Sequence, residues 1–198
     1  PCKKYHRGVV SKAWVLIMKS YSLFILMYLS VKDQKSITSF FQDMYQVPPD
    51  CIQRGMHLTI YHSRIPLNSY KKGGFPVSIN IDVGETRLMV LAPGGENSRP
   101  NLIPAKRSVG IRLTKRNSAI PEILTIRRDA FIHEPPFGKR KNTTDWRNAF
   151  GARHYQPHLK LLRPGNGLDF DLTQVGDVFR DHFDELNFSK VAVKEYVN

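Results

Sequence analysis

The sequence predicts an α+β fold in which two similar β-α-β lobes form one domain. Polar and apolar residues alternate around His57 and again around His158, which predicts one half-buried strand in each half of the chain. Apolar residues also recur at helical spacing over 37–45 and again over 175–186. The two halves therefore repeat one order of elements, and each half contributes one histidine strand.

Length, composition and charge narrow the classes of protein to be considered. The chain has 198 residues, 41% of them hydrophobic, which is enough for one packed core. Its net charge is +13, an excess that favours a polyanionic ligand such as RNA, DNA, a nucleotide or an anionic membrane. The two cysteines, Cys2 and Cys51, indicate neither a disulfide framework nor a zinc site, and they predict a reducing, cytoplasmic location.

The first residues differ from the rest of the chain. Basic side chains stand at 3, 4, 7, 12 and 19, and the first acid is Asp33. A basic start followed by an apolar run is typical of a signal peptide, and 13–31 has nearly the length of a membrane helix. We favour a third interpretation, a buried strand over 24–31 that opens the folded domain. Residues 1–21 are then a basic extension and 22–198 the domain.

The remaining elements are predicted from periodicity and from turn residues. Ser36 is a candidate N-cap for the helix that ends before Pro48. Alternation over 77–81 and 87–91, with a turn between, predicts a hairpin. Further predictions are a strand over 109–113, a helix or a strand within 120–132, a helix over 175–186 and a strand over 188–196.

Each histidine strand pairs its imidazole with a second polar group on the same face. Residues two apart on a strand project from one face, roughly 7 Å apart, so His57 lies beside Thr59 and His158 beside Lys160. An imidazole and a hydroxyl or ammonium at that spacing are able to contact one phosphate. The same alternation puts His62 on the face opposite to His57.

The two segments resemble the repeated motif of the two-histidine (2H) phosphoesterase superfamily, His-x-Thr/Ser-x with hydrophobic x. Met56-His57-Leu58-Thr59-Ile60 matches the motif fully. Pro157-His158-Leu159-Lys160-Leu161 matches it in the histidine and the apolar positions and departs at Lys160, where the family has Thr or Ser. Outside the motifs the resemblance, over about 22–196, is one of element order. It implies a bilobal fold whose antiparallel inner strands line a central groove.

That resemblance implies a metal-independent phosphodiesterase acting on RNA ends, 2′,3′-cyclic phosphates or cyclic oligonucleotides. The family includes 2′,5′ RNA ligase-like proteins, cyclic nucleotide phosphodiesterases and anti-CBASS nucleases. It implies His57 and His158 as the catalytic pair, with Thr59 and Lys160 on the phosphate and no cofactor. Imidazole titrates near neutral pH, so two histidines supply both acid and base.

Further residues are candidates for binding the nucleotide. Tyr61 and Tyr155 are predicted to stack on a base. The basic segments 71–72 and 139–141 are predicted to gather an anionic substrate. Two alternatives stay open: a non-catalytic RNA-binding module on the same fold, and a membrane-anchored protein that uses residues 13–31.

Overall fold

The computed structural model describes residues 21–63, 73–91, 107–133, 155–165 and 168–197. In these ranges the chain is α+β, as predicted, with a seven-stranded antiparallel sheet and three α-helices. The strands are β1 Tyr21–Leu29, β2 His57–Ser63, β3 Phe75–Asp82, β4 Thr86–Leu91, β5 Ser108–Leu113, β6 His158–Leu162 and β7 Glu185–Val197. The helices are α1 Val31–Ser39, α2 Ile120–Ile132 and α3 Leu172–His182. The segment 120–132, open between helix and strand, is thus a helix.

The sheet separates a core face from a more polar face. Its strand order is β3-β7-β1-β2-β6-β5-β4, so β1 and the two histidine strands lie at its centre. Leu23, Ile25 and Met27 of β1 are at most 1% exposed and join residues of all three helices in one hydrophobic core. The alternate residues Phe24 and Tyr28 are only half-buried and point to the other face.

The apolar run near the N-terminus is a strand inside the sheet, hydrogen-bonded to β7 on one side and β2 on the other. The strand interpretation is therefore confirmed, although its predicted end at Val31 is wrong. Ser30 leaves the sheet and Val31 is already helical and 69% exposed. Within the described ranges, no helix is both long enough and apolar enough to cross a membrane.

Helix α1 begins six residues earlier than an N-cap at Ser36 would place it. The cap is Ser30, whose hydroxyl oxygen accepts a hydrogen bond of 3.1 Å from the amide of Asp33. Ser36 lies inside the helix and donates its hydroxyl to the Lys32 carbonyl. A π-helical turn at Phe40–Met44 follows α1 and changes its phase, so Met44, predicted to be buried, is 51% exposed.

The predicted hairpin over 77–91 is wrong. β3 pairs with β7 and β4 pairs with β5, so the two strands form opposite edges of the sheet. Tight hairpin turns need a residue with positive φ to match the twist of the paired strands. No residue between Asp82 and Thr86 has one, and Gly84 instead donates its amide to the Asp82 side chain. The chain therefore turns here without pairing the two strands.

This connection shows that the sheet is strongly bent. In a flat sheet the two edges of seven strands would lie about 29 Å apart. The four steps from Asp82 to Thr86 span at most about 14 Å. Twist and curvature must therefore bring one end of β3 close to one end of β4. Asn117 stabilises the connection between β3 and β4, because its side-chain amide donates hydrogen bonds to the carbonyls of Asp82 and Glu85.

Gly110 allows β5 and β6 to approach each other, and its replacement by alanine should loosen that pairing. A Cβ atom there would stand 2.2 Å from the backbone carbonyl oxygen of Leu159, which has no freedom to rotate away. We expect Gly110→Ala to lower the free energy of unfolding by about 1–3 kcal/mol in urea denaturation. Gly84→Ala is the control, because its Cβ would meet only the flexible carboxylate of Asp82. Equal stability of the two variants would contradict the prediction.

Candidate active site

The two histidine strands are neighbours in the sheet. β2 and β6 pair antiparallel, with Leu58 opposite Leu159. Extending this register by one residue in each direction sets His57 opposite Lys160 and Thr59 opposite His158. The two histidines are then diagonal neighbours, with backbones roughly 7–8 Å apart. The structure thus brings together four residues that the sequence placed a hundred positions apart.

Both imidazoles are held in the same way. Nδ1 of His57 lies 2.8 Å from the carbonyl oxygen of Gly55, and Nδ1 of His158 lies 3.0 Å from the carbonyl oxygen of Gln156. A carbonyl only accepts hydrogen bonds, so each ring carries its proton on Nδ1 when neutral. In both histidines Nε2 then holds the lone pair and is the nitrogen available for proton transfer. Gly55 reaches this geometry with a φ of 60°, in the left-handed region.

Strand register assigns further side chains to the side of the sheet that carries the two histidines, called here the histidine face. Tyr28 is opposite His57, Arg112 is opposite His158, and Gly110 is opposite Lys160. Lysine and arginine side chains on this face are Arg87, Arg112, Lys160, Lys190 and Lys194. No Asp or Glu occupies the histidine face in the described strand pairs β1–β2, β4–β5 and β5–β6 or in the stretch of β7 from Lys190. The face therefore presents a positive field to an anionic ligand.

Burial and positive charge keep His57 neutral. Burial lowers the pKa of His57 below the ordinary imidazole value, and the hydrogen bond to Gly55 partly opposes this shift. The positive charges of Lys194, Lys160 and His158 lower the pKa further. At neutral pH His57 is therefore an unprotonated imidazole, which is the form required of a general base.

Tyr28 and Lys194 complete the surroundings of His57, and sequence periodicity predicted neither of them. The Tyr28 ring lies against the His57 ring, with centroids 5.4 Å apart. A hydrogen bond to Tyr28 raises the pKa of Lys194, whose Nζ is 5.2 Å from the centre of the Tyr28 ring. Lys194 is thus a charged ammonium beside His57. Only the pairing of β1 with both β2 and β7 brings these residues together.

A β-bulge in β2 overturns the predicted placement of Tyr61 and His62. Thr59 is opposite Leu26 while Tyr61 is opposite Ile25, so Ile60 is an extra residue that reverses the alternation. Tyr61 is consequently 1% exposed in the core, and base stacking by Tyr61 is wrong. His62 turns to the histidine face, where its ring stacks on Phe24.

Tyr155 supports the site through a hydrogen bond, and its ring does not lie open for a base to stack on. Its hydroxyl donates a hydrogen bond of 3.1 Å to the carbonyl oxygen of Thr59. The guanidinium carbon of Arg127 lies 4.2 Å from the centre of the Tyr155 ring, which occupies that side of the ring. Burial strongly raises the pKa of the Tyr155 hydroxyl and keeps it a neutral donor. Tyr155 therefore acts through the backbone of β2.

Arg127, on α2, supports the bulge. Its side chain is 3% exposed and donates a hydrogen bond of 2.5 Å to the carbonyl oxygen of Ile60, the extra residue of the bulge. The same guanidinium lies against both Tyr61 and Tyr155. Sequence periodicity does not reveal this role, because an arginine in a helix is ordinarily a solvated residue.

We expect Arg127→Met to destabilise the protein and to lower any activity that depends on Thr59. The change leaves the Ile60 carbonyl without this buried donor, which costs about 1–3 kcal/mol. Arg128→Met is the matched control, because Arg128 is exposed on the same helix and its loss should cost less than about 0.5 kcal/mol. Urea denaturation checks both variants. An Arg127→Met protein as stable as Arg128→Met would show that the guanidinium does not support the bulge.

Some predicted features lie outside the described residues. They are residues 1–20 of the predicted extension 1–21, and the basic segments 71–72 and 139–141. Within the described ranges, no three His, Cys, Asp or Glu side chains form a group able to hold a metal ion.

No model of a known protein family matches the chain. No curated protein sequence matches it.

Proposed function

We propose that this protein is a metal-independent phosphodiesterase that uses two histidines as acid and base on a ribose phosphodiester. The observation that carries the proposal is the equal anchoring of His57 and His158, each by Nδ1 to the carbonyl two residues earlier. The same hydrogen bond therefore occurs in two neighbouring strands, β2 and β6, that lie about a hundred residues apart in the chain. In both strands the histidine keeps Nε2 available. One isolated histidine would give no such indication.

The division of the sheet supports the bilobal part of the proposal. Strands β3, β7, β1 and β2 form one half and β6, β5 and β4 form the other, and the two halves meet where β2 pairs with β6 at Leu58 and Leu159. The histidine strands are the inner strands of the two halves. This arrangement agrees with the resemblance to the 2H phosphoesterases, in which the motifs lie on paired inner strands.

In this proposal the two rings divide the proton transfers between them. In hydrolysis of a 2′,3′-cyclic phosphate, neutral His57 takes the proton of the attacking water through Nε2. Oxygen attacks phosphorus, one ribose oxygen leaves, and protonated His158 gives its Nε2 proton to that leaving oxygen. Thr59 and Lys160 donate hydrogen bonds to the phosphoryl oxygens as negative charge grows on them. The assignment of His57 as the base rests on its lowered pKa.

A panel of phosphodiesters tests this function. The substrates are a mononucleotide 2′,3′-cyclic phosphate, a 2′-5′ linked dinucleotide and a cyclic dinucleotide, each with and without EDTA. We expect turnover of at least one that survives EDTA and is lost in the double variant His57→Ala/His158→Ala. The double variant must unfold at the same denaturant midpoint as the wild type, so that a loss of turnover does not reflect a loss of folding. Turnover that requires added metal, or that survives the double substitution, would reject the proposal.

A non-catalytic RNA-binding module is the second candidate. Lys160, in place of the hydroxyl of the family motif, favours it, since the five cations of the histidine face bind phosphates without any turnover. This candidate predicts that a single-stranded oligonucleotide binds with a steep salt dependence and is recovered intact. The same panel therefore separates the two candidates.

A further inference from the structure

A second cluster of aromatic rings lies on the histidine face, beyond the candidate active site. The rings of Phe24 and His62 are stacked, with centroids 4.1 Å apart and planes 7° from parallel. The ring of Tyr196 meets Phe24 edge-on at 5.8 Å. These three residues are called here the aromatic ledge. Tyr196 is 46% exposed, so a large part of its side chain is accessible to a ligand.

Strand register fixes where the ledge lies relative to the histidines. Leu26 is opposite Thr59, and Phe24, two residues along β1, is opposite His62. The ledge therefore begins roughly 7 Å along the strand from the Leu26–Thr59 pair, on the same face. One nucleotide attached to a phosphate at the histidines bridges that separation.

Lys194 stands between the two sites. It is opposite Phe24 in the pairing of β1 with β7, and its ammonium group lies over the ring of Tyr28. Its charge also lowers the pKa of His57, so it acts on the candidate active site as well as on the ledge. A cation next to an exposed aromatic ring such as Tyr196 is the combination by which proteins bind single-stranded nucleic acid, the cation on the phosphate and the ring on the base.

We propose that the aromatic ledge and Lys194 form a second nucleotide subsite, which makes a single-stranded oligonucleotide the substrate rather than a mononucleotide. A base stacks on the ledge, and the phosphate that links its nucleotide to the reacting one contacts Lys194. This inference rests on the proposed function for the position of the reacting phosphate. The positive charge of the histidine face favours an anionic oligonucleotide over a neutral, apolar partner.

The test compares two substrates that differ only in length. One is uridine 2′,3′-cyclic phosphate, and the other is a uridine trinucleotide whose 3′ end carries the same 2′,3′-cyclic phosphate. We expect a kcat/KM about tenfold or more higher for the trinucleotide, from base stacking. Tyr196→Ala and Phe24→Leu should reduce that ratio about fivefold or more. Met44→Ala is the matched control, because Met44 is 51% exposed on the π-helical turn after α1.

Binding is measured separately from turnover. Fluorescence anisotropy follows a fluorescein-labelled uridine trinucleotide that ends in a 3′-phosphate. We expect Tyr196→Ala to weaken its binding about fivefold or more. Lys194→Gln should make the plot of log affinity against log salt shallower by about 0.7, the share of one phosphate contact. Lys32→Gln removes an equally exposed charge from α1 and should leave the slope unchanged.

The outcomes distinguish the subsite from the proposed function. A length preference lost in Tyr196→Ala supports the subsite. Turnover with no length preference, unaltered by Tyr196→Ala, overturns the subsite and leaves the enzyme. If no substrate is turned over, the proposed function fails, and anisotropy alone decides: weaker trinucleotide binding by Tyr196→Ala supports the subsite, and unchanged binding overturns it.

Discussion

Replacing either of the two histidines proposed to be catalytic, His57 or His158, by asparagine should lower kcat by about 10²–10⁴-fold, the usual contribution of general acid or base catalysis. Asparagine is the informative substitution because its side-chain amide keeps a donor for the carbonyl of Gly55 or Gln156 and removes Nε2. The loss therefore reports proton transfer and not collapse of the strand end. His182→Asn, on the exposed surface of α3, is the control for the substitution itself.

The two roles are separable by the leaving group. A nitrophenyl phosphodiester expels an anion that needs no proton, so His158→Asn should recover most of its lost rate on that substrate. His57→Asn should stay slow on both substrates, because the attacking water still has to lose its proton. The double variant should be little slower than the worse single variant on the natural substrate, since the two residues act as a unit. Equal recovery of both variants on the nitrophenyl ester would refute the assignment of His57 as base.

Local periodicity was enough to predict the histidine strands. His57 and Thr59 alternate with buried Leu58 and Ile60, and the same pattern recurs at His158 and Lys160. The alternation of polar and apolar residues is a property of each strand's own sequence, so it is recognised without knowing the partner strand. The α+β class followed from these strands and the helical patterns beside them.

The errors arose where structure depends on residues far away in the chain. Nothing in the sequence around Ile60 marks the bulge, because the extra residue is defined by its pairing with β1 and by the contact from Arg127. That single residue exchanges the faces of Tyr61 and His62. The false hairpin has the same origin, since β3 finds its partner in β7, over a hundred residues away.

The surroundings of His57 were beyond prediction for a related reason. Tyr28 lies in a continuous apolar run and Lys194 in an alternating segment, and each becomes part of the site only through strand register. A lysine on an outward strand position is usually a solvated charge. Its contact with Tyr28 and its effect on the pKa of His57 distinguish it here.

Lys160 should be essential, and its loss should change both the rate and the pH dependence. Its ammonium group is the donor opposite His57 in the extended register of β2 and β6. Removing one donor to a developing oxyanion usually costs about 10²–10³-fold in kcat, so we expect Lys160→Met to lose that much. Lys160→Thr supplies a hydroxyl, as in the 2H phosphoesterase motif that this segment resembles, and should recover part of the loss.

The pH profile distinguishes the electrostatic effect of Lys160 on His57 from a loss of rate that leaves the pKa of His57 unchanged. The positive charge of Lys160 lowers the pKa of His57, so both Lys160→Met and Lys160→Thr should raise it. A general base works when unprotonated, and the acid limb of kcat/KM reports its pKa in the free enzyme. That limb should therefore move to higher pH in both variants, whereas the rate at high pH should separate threonine from methionine.

Lys190→Met is the matched control for this experiment. Lys190 is an exposed lysine on the same face, opposite Tyr28, but it is not among the charges that shift the pKa of His57. Its loss should leave the acid limb in place. If Lys160→Met keeps the wild-type kcat and the wild-type acid limb, Lys160 does not contact the phosphate, and its proposed role as a donor is wrong.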